Sequence, residues 1–230
     1  MIDLQTWPRV ITAIGALGTA AFGLVDATKV FGGGVNHIGF KGIRNAILAL
    51  TPGTPGSAGT PANALPQKKI LATLQANWFN GVDLSSQKAA AKSLIKLYLN
   101  PGNAAEMAKA AGVDGNVLTQ VAMKIAAGET LNATETDVYA RFDLILTALL
   151  DEAYQRSDQT YRNGTRAWAV VASLLLALAG SVMLHTTGKW GVDIGEALLV
   201  GLLATPLAPI AKNLSSALAT SVNTLQAIKK

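Results

Sequence analysis

The sequence predicts an all-α membrane protein with three transmembrane helices, one N-terminal and two in a C-terminal hairpin, and a small helical cytoplasmic bundle between them. Apolar residues make up 50% of the 230-residue chain and charged residues only 14%. Soluble domains carry about 25% charged residues. Three long apolar stretches and the absence of any alternating strand pattern complete the argument for this fold class.

The three predicted spans are residues 6–25, 167–184 and 192–211. The second has no charge over its whole length, and 18 helical residues reach about 27 Å, close to the hydrocarbon thickness of a bilayer. A buried core helix is the alternative for each stretch; it fits the third best and the second worst. No basic segment precedes the first stretch, so we expect a retained span and not a cleaved signal peptide. The corresponding domains are 1–29 for the first transmembrane helix and 166–212 for the hairpin.

Basic residues near the ends of the spans predict the orientation. Arg9 and Lys189 lie on the side of the N-terminus, and nine basic residues lie on the other. The positive-inside rule then places the middle segment and the C-terminus in the cytoplasm of a bacterial-type inner membrane, with the N-terminus outside. Trp7, Trp168 and Trp190 fall at predicted span ends, as expected of interfacial anchors. The nine residues are Lys29, Lys41, Arg44, Arg156, Arg162, Arg166, Lys212, Lys229 and Lys230.

Two amphipathic segments and a linker flank the predicted cytoplasmic domain. Residues 30–50 read as a glycine-rich turn followed by a basic amphipathic helix, with Lys41 and Arg44 as anchors in the headgroup layer. Residues 51–66 contain four prolines and three glycines, which is typical of a linker. Apolar residues recur at helical spacing through residues 213–230, which end in two lysines. We therefore expect a C-terminal amphipathic helix there.

Residues 67–165 are predicted to form the helical cytoplasmic domain. Helices are expected over 67–79 and from Ser85 or Ser86 to about residue 99. A short helix is expected to follow Asn103 and end at Gly112, and the next, near 116–127, to end at Gly128. A last helix is expected to begin at the cap candidate Thr134 and to run into the second span, either as one long rod or with a break at Asn163-Gly164. Its predicted apolar stripe is Val138, Phe142, Ile145, Leu149 and Ala153.

The motifs argue against most catalytic chemistry, and we expect no enzyme, no cofactor and no metal site. The chain has no cysteine, which excludes thiol nucleophiles and thiolate metal sites. In the stretch FGGGVNHIGF, Phe40 stands where a phosphate-binding loop needs lysine, so we expect a turn. His37 and His185 fall on opposite sides of the membrane in this topology. Two S-x-x-K matches, at Ser85 and Ser93, lack their partner motifs.

Net charge gives no support for a nucleic-acid partner. Residues 51–165 have equal numbers of acids and bases, so the whole net charge of +5 lies in segments that flank the apolar stretches. A nucleic-acid-binding domain would concentrate its positive charge on the globular part.

Polar and small residues within the spans predict how the helices pack. We expect boundary ion pairs between Arg9 and Glu196, and between Asp26 and a base on a neighbouring helix; Glu196 as a cation-handling carboxylate is the alternative. Small residues suit close helix contacts, and two prolines in the third span predict a kink. The residues concerned are Arg9, Glu196, Asp26, Arg166 and Lys212 for ion pairs, Gly15, Thr19, Gly23, Ala197 and Gly201 for packing, and Pro206 and Pro209 for the kink.

The sequence therefore favours a non-enzymatic membrane scaffold or an accessory subunit that oligomerises or docks partners through its cytoplasmic domain. The alternative is a subunit of an oligomeric cation channel or transport complex whose third span lines the pore. Membrane lipid and either a second copy or a larger membrane complex are the expected partners.

Overall fold

A computed structural model describes residues 6–52, 66–186 and 194–209, with side chains over 10–52, 66–183 and 194–209. Every element in these ranges is a helix and none is a strand, which confirms the predicted all-α class. The chain forms two compact units, one of Met1–Val35 with Arg162–Lys230 and one of Asn36–Tyr161. The helices are α1 (Thr6–Ala27), which a 3₁₀ turn (Thr28–Val30) follows, α2 (Asn36–Leu50), α3 (Gln67–Phe79), α4 (Leu84–Tyr98), α5 (Ala104–Ala111), α6 (Gly115–Ala127), α7 (Ala133–Thr186) and α8 (Ile194–Pro209).

Two of these helices are long and apolar enough to cross a membrane, one over Val10–Val30 and one within Ala133–Met183. The third predicted span corresponds to α8, which is shorter over its described residues. Helix α7 is continuous through Asn163-Gly164, so the predicted break is absent. The predicted C-terminal helix 213–230 and almost all of the linker lie outside the described residues.

The unit Asn36–Tyr161 is a helical bundle with one hydrophobic core. Helices α2 to α6 and the first part of α7 each contribute buried apolar side chains. In α7 the fully buried row differs from the predicted stripe, since Leu146 and Leu150 replace Ile145 and Leu149, which are only half-buried. The largest core side chains are Phe40, Ile43, Ile47, Leu50, Ile70, Leu74, Trp78, Ile95, Tyr98, Met107, Leu118, Phe142, Leu146, Leu150 and Tyr154.

The apolar face of α2 lies in the core of this bundle and not against lipid, whereas the predicted position of the helix at the headgroup layer stays a prediction. Its apolar residues lie in the core: Ile43 and Ile47 are fully buried, and the indole Nε1 of Trp78 donates a 2.9 Å hydrogen bond to the carbonyl oxygen of Asn36. A Cβ on Gly39 would lie 2.4 Å from the Trp78 ring, so the glycine permits this close crossing. An apolar stripe suits a protein core as well as a lipid surface, and the sequence alone could not separate the two.

Side chains that cap the helix N-termini mark where α4 and α7 begin. The carboxylate of Asp83 caps α4 by accepting a 2.9 Å hydrogen bond from the Ser86 amide, so the predicted cap at Ser85 or Ser86 is wrong by two or three residues. Hydrogen bonds from Ser85 and Ser86 hold the pKa of Asp83 far below its usual range. Helix α7 begins at a reciprocal capping box of Asn132 and Glu135 and not at Thr134.

Candidate helix-packing site

The contact between α1 and α8 is a backbone contact made possible by a glycine. A Cβ placed on Gly18 would lie 2.0 Å from the carbonyl oxygen of Ala204 and 3.1 Å from the Cβ of Ala208. Ala21 on α1 and Ala204 on α8 are fully buried beside it. Small residues let two helix backbones approach closely, and the dispersion contacts of the backbones then hold the pair together.

The contact between α7 and α8 combines a glycine with a buried hydroxyl group. A Cβ on Gly201 would lie 2.8 Å from the Cα of Leu174. The Ser173 hydroxyl is buried and lies 2.7 Å from the carbonyl oxygen of Gly201, to which it donates, and 3.4 Å from the hydroxyl of Thr205. Interhelical hydrogen bonds of this kind stabilise helix pairs in apolar surroundings by about 0.6 to 2 kcal/mol.

The outward faces of the same three helices carry large apolar side chains. Over the most apolar 18 residues of each helix, only 22% of the residues are buried in α1 and 11% in α7. On α8 the buried residues are small, namely alanines and Gly201, and the exposed ones include four leucines, which reverses the pattern of a soluble helix bundle. The exposed apolar residues are Val10, Leu24, Val171, Leu175, Val182, Met183, Ile194, Leu198, Leu199, Leu202 and Leu203.

The structure uses a different face of α1 from the one that the sequence predicted. Gly15 is buried, but Thr19 and Gly23 are exposed, and a Cβ on Gly23 would meet no atom within 4 Å. Gly18 and Ala21 make the contact in their place. On α8, Ala197 and Gly201 are both buried.

The structure describes some, but not all, of the side chains that were predicted to form boundary ion pairs. Asp26 pairs with Lys29 three residues later and not with Arg166. Arg166 and Glu196 are exposed, and neither forms an ion pair with any described residue. The side chain of Arg9 and the whole of Lys212 lie outside the described residues, so the Arg9–Glu196 pair stays a prediction.

Among the residues predicted to kink the third span or to anchor the helices at the interface, those that the structure describes in these helices are exposed. Pro206 and Pro209 are exposed within α8, and Pro206 leaves the carbonyl of Leu202 without its usual intrahelical donor. Trp168 is 55% exposed near the start of the second apolar stretch. The side chain of Trp7 and all of Trp190 lie outside the described residues.

The three glycines of FGGGVNHIGF form a turn and not a phosphate cradle. Gly32, Gly33 and Gly34 all have positive φ, at 65°, 102° and 44°. The amides of Phe31, Gly32 and Gly33 donate to carbonyl oxygens of residues 28–30, so these donors are already used within the turn. A Cβ on Gly34 would lie 2.4 Å from the carbonyl of Thr28, and only glycine fits there.

The bundle has a shallow cavity of ≈ 310 Å³ at the junction of α6 and α7, where Lys124 and Glu135 are committed to structure. The Lys124 ammonium donates to the carboxylate of Glu135 at 2.8 Å, and the same carboxylate caps α7. Hydrogen bonds from Lys124 and from the Asn132 amide hold the pKa of Glu135 below its usual value. The cavity is lined by Gln120, Met123, Lys124, Ala127, Glu129 and Glu135.

Neither metal-binding geometry nor similarity to known proteins assigns a further site. Among the described residues, no three histidine or acidic side chains are placed to hold a metal ion. No protein-family model, curated protein or solved structure matches the chain.

Proposed function

We propose that this chain is an integral protein of a bacterial-type inner membrane that serves as a non-enzymatic scaffold or accessory subunit. In this proposal α1, residues 167–184 of α7 and the segment 192–211 that contains α8 span the bilayer. The unit Asn36–Tyr161 lies in the cytoplasm and docks partners or a second copy of the chain.

The exposure of large apolar side chains on α1, the second half of α7 and α8 carries the proposal. A core helix of a soluble protein hides its apolar side chains, but over their most apolar 18 residues α1 and α7 are only 22% and 11% buried. A lipid environment would cover these side chains, and the buried Gly18, Gly201 and Ser173 are of the kind that joins helices inside a bilayer.

Topology can be tested directly because the chain has no cysteine. We would introduce Lys109→Cys in α5 and Thr187→Cys in the predicted outer loop, each alone, and treat intact cells with a membrane-impermeant maleimide. The proposal predicts that Cys at 187 is labelled in intact cells and Cys at 109 only after lysis. The opposite pattern would overturn the orientation, and labelling of both would overturn the membrane topology.

The scaffold role is supported by the outward face of α8, which is apolar over its described residues apart from Glu196. A pore-lining helix presents polar groups to the water path. The test is the mass of the full chain in lipid nanodiscs together with ion flux in liposomes. An oligomer without flux supports the scaffold; flux that Glu196→Gln abolishes would establish the channel instead.

A further inference from the structure

Helix α2 presents a row of basic side chains on the side opposite to the bundle core. His37, Lys41 and Arg44 are exposed, and their spacing of four and three residues places them on one face of the helix. Phe40, Ile43 and Ile47 are buried on the other face. We call the row of His37, Lys41 and Arg44 the basic ridge.

Lys41 and Arg44 supply the fixed positive charge of the basic ridge. Neither Lys41 nor Arg44 forms an ion pair with any residue that the structure describes. The sequence contains no aspartate or glutamate between Asp26 and Asp83, although five lysines and arginines lie in that interval.

Elsewhere in the bundle the lysines that face other helices are neutralised. The ammonium groups of Lys88, Lys92, Lys96 and Lys124 all lie within 3.0 Å of a carboxylate oxygen. The basic ridge is therefore an electropositive surface that suits an anionic partner.

The covalent connection of α2 to α1 points to the kind of partner. Only residues 31–35 separate the end of the 3₁₀ turn at Val30 from the start of α2, and Val30 and Phe31 are each 83% exposed. If α1 spans the bilayer, as proposed above, a short connector keeps the first turns of α2 near the headgroup layer.

We propose that the basic ridge binds the headgroups of anionic phospholipids. The apolar face of α2 is occupied by the bundle core, so this helix binds by charge at headgroup level and does not insert as an amphipathic helix. Each lysine or arginine near an anionic membrane contributes about 1 kcal/mol, which corresponds to about fivefold in affinity. The inference rests on the proposed membrane topology, which brings the ridge to a bilayer.

The experiment compares acetylation of Lys41 in two kinds of vesicle. The full chain is reconstituted into vesicles of phosphatidylcholine alone or of phosphatidylcholine with phosphatidylglycerol, and a small neutral reagent acetylates exposed lysines. Lys109 in α5 is the internal reference, because it is exposed in the same bundle and has Glu106 one turn away. Flotation of the vesicles in the same samples reports whether the chain is inserted at all.

The proposal predicts slower acetylation of Lys41, relative to Lys109, only when phosphatidylglycerol is present. Arg44→Gln should weaken this protection about fivefold, whereas Arg141→Gln, which removes an exposed charge from α7, should leave it unchanged. Protection should disappear at 1 M salt, where the Debye length is about 3 Å.

Equal acetylation of Lys41 in both vesicle types, with the chain floating in both, would overturn the lipid proposal and leave the membrane topology intact. Equal protection by an added RNA in phosphatidylcholine vesicles would overturn the choice of partner. Failure to float with either vesicle type would instead contradict the proposed function.

Discussion

Replacing Gly18 by alanine is the most informative perturbation of the three-helix packing. The new methyl group would lie 2.0 Å from the carbonyl oxygen of Ala204, whereas real Cβ contacts essentially never fall below 3.0 Å. Helices α1 and α8 must therefore separate by about 1 Å, which loses dispersion contacts along the pair. Gly23→Ala is the matched control, because a Cβ at that position meets nothing within 4 Å.

The expected difference between the two variants follows from packing costs. Both substitutions gain about 1 kcal/mol of helix propensity, so this gain cancels in the comparison. Overpacking of a close contact costs about 1 to 3 kcal/mol, and only Gly18→Ala incurs it.

Hydrogen exchange of α8 in the detergent-solubilised full chain measures this difference locally. A cost of about 1 to 3 kcal/mol raises the exchange rate of α8 amides about fivefold to 150-fold in Gly18→Ala relative to Gly23→Ala. Equal exchange rates in the two variants would refute the close contact between α1 and α8.

Three further predictions concern single side chains. Ser173→Ala removes the hydrogen bond to Gly201 and should lower the free energy of α8 opening, measured by the same exchange experiment, by about 0.6 to 2 kcal/mol; an unchanged rate would show that the bond does not form. Ile47→Ala empties a fully buried core position and should cost about 2 to 5 kcal/mol in thermal unfolding of the bundle followed by circular dichroism, whereas exposed Leu97→Ala should change little. Burial opposes ionisation of Asp143, but hydrogen bonds from Lys92 and Lys96 outweigh it and hold the pKa of this carboxyl below its usual value. Its contribution to stability is thus present at neutral pH and is lost as the pH falls below about 4 towards the lower pKa of the folded state, and Asp143→Asn should flatten this part of the stability–pH curve.

The ends of the bundle helices could be predicted where a strong local signal exists. Gly112 and Gly128 end α5 and α6 at the predicted positions, and both adopt the left-handed conformation that suits glycine. The caps at Asp83 and Asn132 were missed because several neighbouring residues were competent to cap, and only the backbone path chooses among them.

Tertiary partners could not be predicted in the same way. Helix α1 has small residues on more than one face, and only the position of α8 selects Gly18 over Gly23. The apolar stripe of α2 likewise gives no sign of whether lipid or protein covers it, and the structure assigns it to the bundle core. Amphipathic periodicity identifies the buried face of a helix but not its partner.

The most direct test of the membrane proposal is alkaline carbonate extraction of cell membranes that contain the full chain. Three apolar helices with exposed leucine, valine and methionine side chains should keep the chain in the membrane pellet, together with known integral proteins and apart from peripheral ones. Quantitative release of the chain into the supernatant as a soluble species would contradict the proposal that these helices span the bilayer.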